Sequence, residues 1–402
     1  MAGRQRDRER MSQALGLPLM TVGAYAAERG LRRSLIHASS RVDCGEPIVV
    51  PAGDADFYSA GPSSYDFPEI MLTEIEGAQA RGRSNLLTAV GAVLTHELMD
   101  LDRDLPGEYV LGWLGITKDR RRAVWGAHEP SNLYEEAEAA VFTDVAGPNY
   151  AHWLTEVLPR IAAFVQDPRY ESTPIVVDLD LHSNIRRSIA LIAPGRAVHR
   201  LKARDRLRVR RLHHVSVTGY VPYRLRDEGM LEHGRFAPGA LRHTVQRLRS
   251  AVQTRDDGTG PKLFLRRNAK LRRLVNEPEI EAALAARGFF AVDPAKLTLE
   301  EQIVLFSQAS MIVGATGAGL ANLIFCRPDC PLVVLMPRFR HTAYWYWRRM
   351  AAAAGAGPVV HVSGPQVETD FDPDREGALQ QDYRVELADV LQGVDIAMSL
   401  RR

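Results

Sequence analysis

Residues 262–362 alternate short aliphatic runs with helix-length stretches, and this alternation restricts the fold more than any other feature of the chain. Lys262-Leu263-Phe264-Leu265, Phe289-Phe290-Ala291-Val292, Met311-Ile312-Val313, Leu332-Val333-Val334-Leu335 and Val359-Val360-His361-Val362 read as strands. Helices are predicted over 277–287, 299–309 and 344–354. Pro278 suits the first turn of one and Gly288 its end. Thr298 with Glu301 three residues on reads as a capping box. Strands that alternate with helices pair in parallel and carry helices on both faces, so the expected class is α/β.

The first half shows the same alternation from Gly147 on. Ala139-Ala140-Val141-Phe142 and Pro174-Ile175-Val176-Val177-Asp178 read as strands, 183–192 as a helix, 215–217 as a strand and 239–252 as a helix. Upstream, Ile48-Val49-Val50 and residues 109–116 read as strands. At 402 residues the chain exceeds one ordinary core. Three segments are expected: a loose or helical lead-in over 1–46, a first domain over 47–255 and a second over 261–402. Asp256-Asp257-Gly258-Thr259-Gly260-Pro261 is the linker candidate.

A hydrophobic fraction of 46% and a charged fraction of 25% belong to a folded soluble protein. The net charge of +2 gives no ground for a nucleic-acid partner. Cys44, Cys326 and Cys330 are too few for a disulfide framework. Cys326 and Cys330 lack a second Cys/His pair of suitable spacing, so neither metal nor cofactor is expected. No run of 18 apolar residues occurs. The charged stretch from Met1 to Arg10 has no apolar core of a secretory signal. A cytoplasmic location is expected, with peripheral attachment at the inner face of the membrane left open.

Two motifs carry chemistry. In Asn149-Tyr150-Ala151-His152-Trp153-Leu154-Thr155-Glu156-Val157-Leu158-Pro159-Arg160, a helix would put His152 and Glu156 one turn apart on one face. Gly147-Pro148 and Pro159 would confine that helix to about two turns, while the helical pattern itself continues through Ile161 to Val165. The pair reads either as a local surface contact or as a partly dry site able to move protons. The second motif, Gly314-Ala315-Thr316-Gly317-Ala318-Gly319-Leu320-Ala321-Asn322, follows the Met311 strand as a glycine turn that opens a helix. It is a tight turn, or an anion site built from backbone N–H groups and the helix dipole. Its spacing is neither the dinucleotide fingerprint nor a P-loop. Arg266 and Arg267 end a strand in the same half, as a solvated run or as phosphate ligands. Tyr344-Trp345-Tyr346-Trp347 reads as a helix–core contact or a sugar-stacking surface.

The order of these segments, joined by Leu299-Glu300-Glu301-Gln302-Ile303 with Phe306, resembles glycosyltransferase family 61. That family was first grouped as a capsular polysaccharide biosynthesis-like domain, and the resemblance covers about residues 45–365. One departure matters: Thr316 stands where many members have His in Gly-x-His-Gly-Ala-Gly. A role that needs an imidazole there does not carry over, whereas hydrogen bonding to a phosphate or sugar oxygen does.

The resemblance implies a GT-B architecture. Two Rossmann-like domains with parallel sheets would face a cleft, with an N-terminal β-containing extension. The second domain would bind a nucleotide-sugar donor and the first would present a saccharide or glycan acceptor. The activity implied is an inverting, metal-independent transfer in cell-surface polysaccharide or capsule biosynthesis. Asp178-Leu179-Asp180 fits an Asp-x-Asp pattern only nominally, and no metal is expected on it. On this reading Glu156 or His152 supplies or orients the base. Arg266, Arg267, Gly314, Thr316, Gly317, Ala318 and Gly319 hold the donor. Glu301 is a helix cap or a ribose contact, and Asn322 fixes the loop or reaches the donor. Two alternatives stand beside it: a non-catalytic nucleotide-sugar-binding module, and a retaining transferase or epimerase on the same fold.

Overall fold

The computed structural model describes residues 16–57, 63–126, 132–222, 234–254, 260–338, 344–367 and 380–401. The charged N-terminal stretch and Asp256 to Thr259 of the linker candidate lie outside these residues. The chain is α/β with mixed sheets and divides into two compact units. One comprises Met1–Ser40 with Phe67–Gly229, the other Arg41–Asp66 with Met230–Arg402. Among the described residues no helix is long and apolar enough to cross a membrane.

The first unit is built on an eleven-stranded sheet. Its parallel part runs Val198–Leu201, Ile175–Asp178, Leu133–Val141, Arg206–Val215. The chain leaves Leu133–Val141 to add two strands on one side, then returns to its other side with Arg206–Val215. Beyond that strand the sheet turns antiparallel through Ile70–Arg81, Leu87–Ala89 and Ala92–Thr95. Those connections are too short for a parallel crossover. Between the last two, Val90 and Gly91 make a two-residue hairpin loop, with Gly91 at φ +79. The expectation of parallel sheets fails here, for want of crossover length among these three strands and because Ile70–Arg81 runs antiparallel to the distant Arg206–Val215.

Three local readings are corrected. Residues 17–43, read as a loose or helical lead-in, form a strand, a helix and two further strands. Leu17–Thr21 pairs with both Ala92–Thr95 and Arg122–Trp125. Only Leu19 of its five residues is buried, which leaves almost no apolar pattern to read. Residues 109–116 are not one strand. A helical turn, Gly107–Val110, precedes a three-residue strand, Leu114–Ile116, and Gly112 at φ +77 separates them. Of the strand read at 215–217 only Val215 is strand, the last residue of the longer Arg206–Val215, and Ser216 and Val217 lie beyond it.

The second unit carries a six-stranded sheet in which every pairing is parallel. Its order is Phe289–Val292, Lys262–Leu265, Met311–Ala315, Leu332–Pro337, Val359–Gly364, Ile48–Val50. Central strands buried on both faces explain the unbroken aliphatic runs. Leu387–Ser399 lies against the sheet so closely that a Cβ on Gly393 would come 2.7 Å from Val362 Cγ2. The order places a switch point between Lys262–Leu265 and Met311–Ala315, where successive crossovers depart in opposite directions. Open α/β sheets bind ligands beyond the carboxyl ends of the strands at such a point.

Candidate functional site

In the first unit, Asn149 caps a helix by accepting from Ala151 N at 3.0 Å. Pro159 does not end that helix, contrary to the two-turn expectation. The ladder instead widens into a π-helical turn, Trp153–Val157, with Leu158 N bonded to Trp153 O, and continues as Leu158–Val165. Pro159 has no N–H to offer the Thr155 carbonyl. Thr218 Oγ1 donates to the Thr155 and Glu156 carbonyls instead, at 3.2 and 3.3 Å. Such turns inside α-helices occur frequently at functional sites. Trp153 is fully buried, with its Nε1 donating to Ser188 Oγ at 2.8 Å.

The wide turn holds His152 Nδ1 2.7 Å from Glu156 Oε1. Their side chains are 20% and 11% exposed, so this is not a solvated surface pair. Burial opposes a charge on His152, but the neighbouring Glu156 and Asp144 overcome it and raise its pKa. Burial also raises the pKa of Glu156, against the pull of His152. The dyad thus holds a shared proton more firmly than either group would alone.

A cavity of about 30 Å³ opens beside the pair. Asp144, Val145 and Ala146 follow the carboxyl end of Leu133–Val141, and Tyr220 and Val221 follow that of Arg206–Val215. Glu108 and His96 complete its polar wall. Burial pushes Glu108 up to about 7 despite hydrogen bonds from Ser84 and Asn85. Burial and nearby Arg160 push His96 down to about 3. Arg160 is itself buried, donating Nε to Val215 O at 3.0 Å. Asp178 accepts from Arg83 N at 2.5 Å and Asp144 N at 3.0 Å. Its carboxylate therefore ties two loops together, while Asp180 is exposed.

In the second unit, a cavity of about 250 Å³ lies at the switch point. Leu265, Arg266, Arg267, Ala315, Gly317, Ala318 and Gly319 line it, so two of the sequence-level pieces meet there. Arg267 Nη1 donates to the Thr316 carbonyl and Nη2 to Leu271 O at 3.3 Å. Gly317 is required by this contact, because a Cβ there would sit 1.7 Å from Arg267 Nη1. Arg266 is more exposed and forms a two-pronged ion pair with Glu281, Nε to Oε2 at 2.6 Å and Nη2 to Oε1.

The remaining donor-side candidates stand behind this wall. Gly314 lets the strand approach Leu265, whose Cβ would lie 3.0 Å from an added methyl. Thr316 is buried, and its hydroxyl accepts from Trp347 Nε1 at 2.9 Å. Trp347 and Tyr346 are buried and pack edge to face, as the core reading of that aromatic run requires. The side chains of Tyr344 and Trp345 lie outside the described residues. Asn322 donates to Gln302 Oε1 at 2.7 Å and to Gly319 O at 3.1 Å, which fixes the loop. That local bond competes with the regular ladder, and the segment Ala318–Phe325 is a 3-10 helix where an α-helix was expected. Glu301 completes the capping box with Thr298. Cys326 and Cys330 are buried free thiols. Among the described residues no three His, Cys, Asp or Glu side chains cluster as metal ligands.

Sequence reasoning passed over Glu108, Asp144 and His96. Glu108 sits alone on a four-residue helical turn with no pattern around it. Asp144 had one available signal, its place just past the carboxyl end of a strand in an α/β sheet.

No curated protein matches the chain. Residues 150–333 match the model of the Glycosyltransferase 61 family, a span that starts at the His152–Glu156 helix and runs past the Gly314–Asn322 turn. That match supports a glycosyltransferase family 61 domain over residues 150–333.

Proposed function

We propose that the protein transfers a sugar from a nucleotide-sugar donor to a saccharide acceptor with inversion at the anomeric carbon. The observation that carries this reading is the buried His152–Glu156 pair, within the family match and beside a cavity at the carboxyl ends of parallel strands. The pair takes the proton of the acceptor hydroxyl as its oxygen attacks the anomeric carbon. The bond from that carbon to the diphosphate oxygen breaks, and the diphosphate leaves with the negative charge. Arg267 and the N–H groups around Gly317 to Gly319 stabilise that charge. Arg266 joins them by exchanging Glu281 for phosphate oxygens. A GT-B arrangement, metal-independent chemistry, a role in cell-surface polysaccharide synthesis and a cytoplasmic site of action belong to the same proposal.

The test begins with a thermal-shift panel of nucleotide sugars, since a donor that binds the folded state raises its melting temperature. The donor so found is then assayed for transfer and for hydrolysis with wild type, Glu156→Gln and His152→Ala. Loss of turnover by at least about a hundredfold, with donor binding kept, is expected of a missing general base. Near-normal turnover in both variants removes the pair from the mechanism. Donor binding without transfer or hydrolysis would mark a non-catalytic module, and a retained anomeric configuration would mark a retaining enzyme.

A further inference from the structure

We infer that the cavity beside the His152–Glu156 pair is a subsite for one hydroxyl or hydroxymethyl group of the acceptor, gripped by Glu108. This inference rests on the glycosyltransferase reading and names a specificity-determining residue for it. The first argument is size. About 30 Å³ accommodates one or two water-sized groups, so a sugar ring cannot enter but a –CH2OH arm can.

The second argument is chemistry. Ser84 Oγ donates to Glu108 Oε1 at 2.6 Å and Asn85 N donates to the same oxygen at 3.2 Å. Both donors hold the same oxygen, Oε1, which fixes the carboxyl group in the cavity wall. Glu108 is 1% exposed, so a carboxyl is kept there at a desolvation cost that packing alone does not explain. Burial favours its neutral form near neutral pH. A protonated carboxyl donates and a carboxylate accepts, and a hydroxyl partner satisfies either state.

The third argument is an orphan. His96 lines the same cavity, is 5% exposed, and its Nδ1 is buried without a hydrogen-bond partner. Tyr220 packs edge-on against the imidazole at 4.4 Å and fixes the ring. An unsatisfied buried imidazole nitrogen in a cavity wall is costly, which points to a polar site shaped for a guest. Buried Arg160, near Asp144, and half-buried Arg83, near Asp178, offset the carboxylate charge around the cavity. That balance suits a neutral hydroxyl better than an ammonium group.

The experiment is saturation-transfer NMR on the full chain with methyl glucoside, methyl galactoside and methyl mannoside, each beside its 6-deoxy analogue. Donor binding is measured in parallel by thermal shift. At least one parent glycoside should bind, with saturation strongest at its C6 protons. At about pH 8.5, above the value of about 7 to which burial raises Glu108, the 6-deoxy analogue should weaken binding about tenfold to a hundredfold, the size of one hydrogen bond to a charged group, and Glu108→Gln, which keeps only a neutral partner, about tenfold. Ser84→Ala, which frees the carboxyl without altering the cavity wall, should weaken it several-fold and guards against a misfolded Gln variant. Equal binding of parent and deoxy sugars, unchanged binding in both variants, or binding of none of the glycosides overturns the subsite. Failure to bind any donor sinks the transferase reading instead, and the two failures are read on separate measurements.

Discussion

Replacing Gly317 by alanine tests the arrangement of the donor-side wall. Gly317 has φ 171, extended backbone that any residue adopts, so alanine meets no backbone strain there. The added Cβ would lie 1.7 Å from Arg267 Nη1 and 3.0 Å from its Cζ. The guanidinium must move, and it leaves the Thr316 carbonyl. A hydrogen bond from a charged donor is worth about 1.5–3 kcal/mol net, and water replaces part of it at this half-buried site, so the expected cost is about 1–2 kcal/mol. Urea unfolding of wild type, Gly317→Ala, Arg267→Ala and the double variant closes a thermodynamic cycle. All three nearest atoms to the added Cβ belong to Arg267, out to 3.7 Å, so in the Arg267→Ala background the clash is gone and the cost should fall below about 0.5 kcal/mol. Equal cost in the two backgrounds would show that the glycine serves something other than Arg267 and refute the reasoning. If the proposed donor site holds, donor binding should weaken in Gly317→Ala along with stability, because the displaced guanidinium would enter the space assigned to the diphosphate.

Two further outcomes follow from the first unit. Burial raises the pKa of Glu108 from 4.5 to about 7, so the folded chain keeps a proton that the unfolded chain releases between these values. The resulting stability is fully present below the unfolded value and is lost as pH rises through the folded one. At about 1.4 kcal/mol per pH unit it amounts to about 3 kcal/mol. Glu108→Gln carries no such proton, so its stability relative to wild type should climb by about that amount across the window; a pH-independent difference in denaturant unfolding contradicts it. Thr218→Val strips the donor from the Thr155 and Glu156 carbonyls and should cost about 1–3 kcal/mol in unfolding experiments, while Thr218→Ser stays near wild type.

The sequence was most legible where strands are buried on both faces. The five strands from Lys262–Leu265 to Val359–Gly364 carry unbroken aliphatic runs, and their alternation with helices was enough to read a parallel sheet. It was least legible where pairing joins distant residues. Nothing local tells Ile48–Val50 to lie beside Val359–Gly364, more than 300 positions away. The His152–Glu156 pair was readable because it depends on helical spacing alone. The π-helical turn that holds it was not, since it needs the distant Thr218 hydroxyl to donate to the Thr155 carbonyl in place of Pro159's missing N–H. Arg267 and Gly317 were both named from the sequence, but not that one explains the other. Glu108 and His96 gained their character from desolvation, which only the folded chain supplies.

The place of Ile48–Val50 in the second sheet bears on how this chain can be divided. The turn-rich stretch around Gly260 looks like a natural point to cut. A fragment that begins there would leave Val359–Gly364, six residues all buried in the intact fold, as a naked valine-rich edge. Unpaired edges of that kind recruit strands from neighbouring molecules, so the severed half is a seed for aggregation. Ile48–Val50 covers that edge in the intact chain, and a second half made without it should stay soluble only if the strand is carried along, by circular permutation or as a complementing peptide.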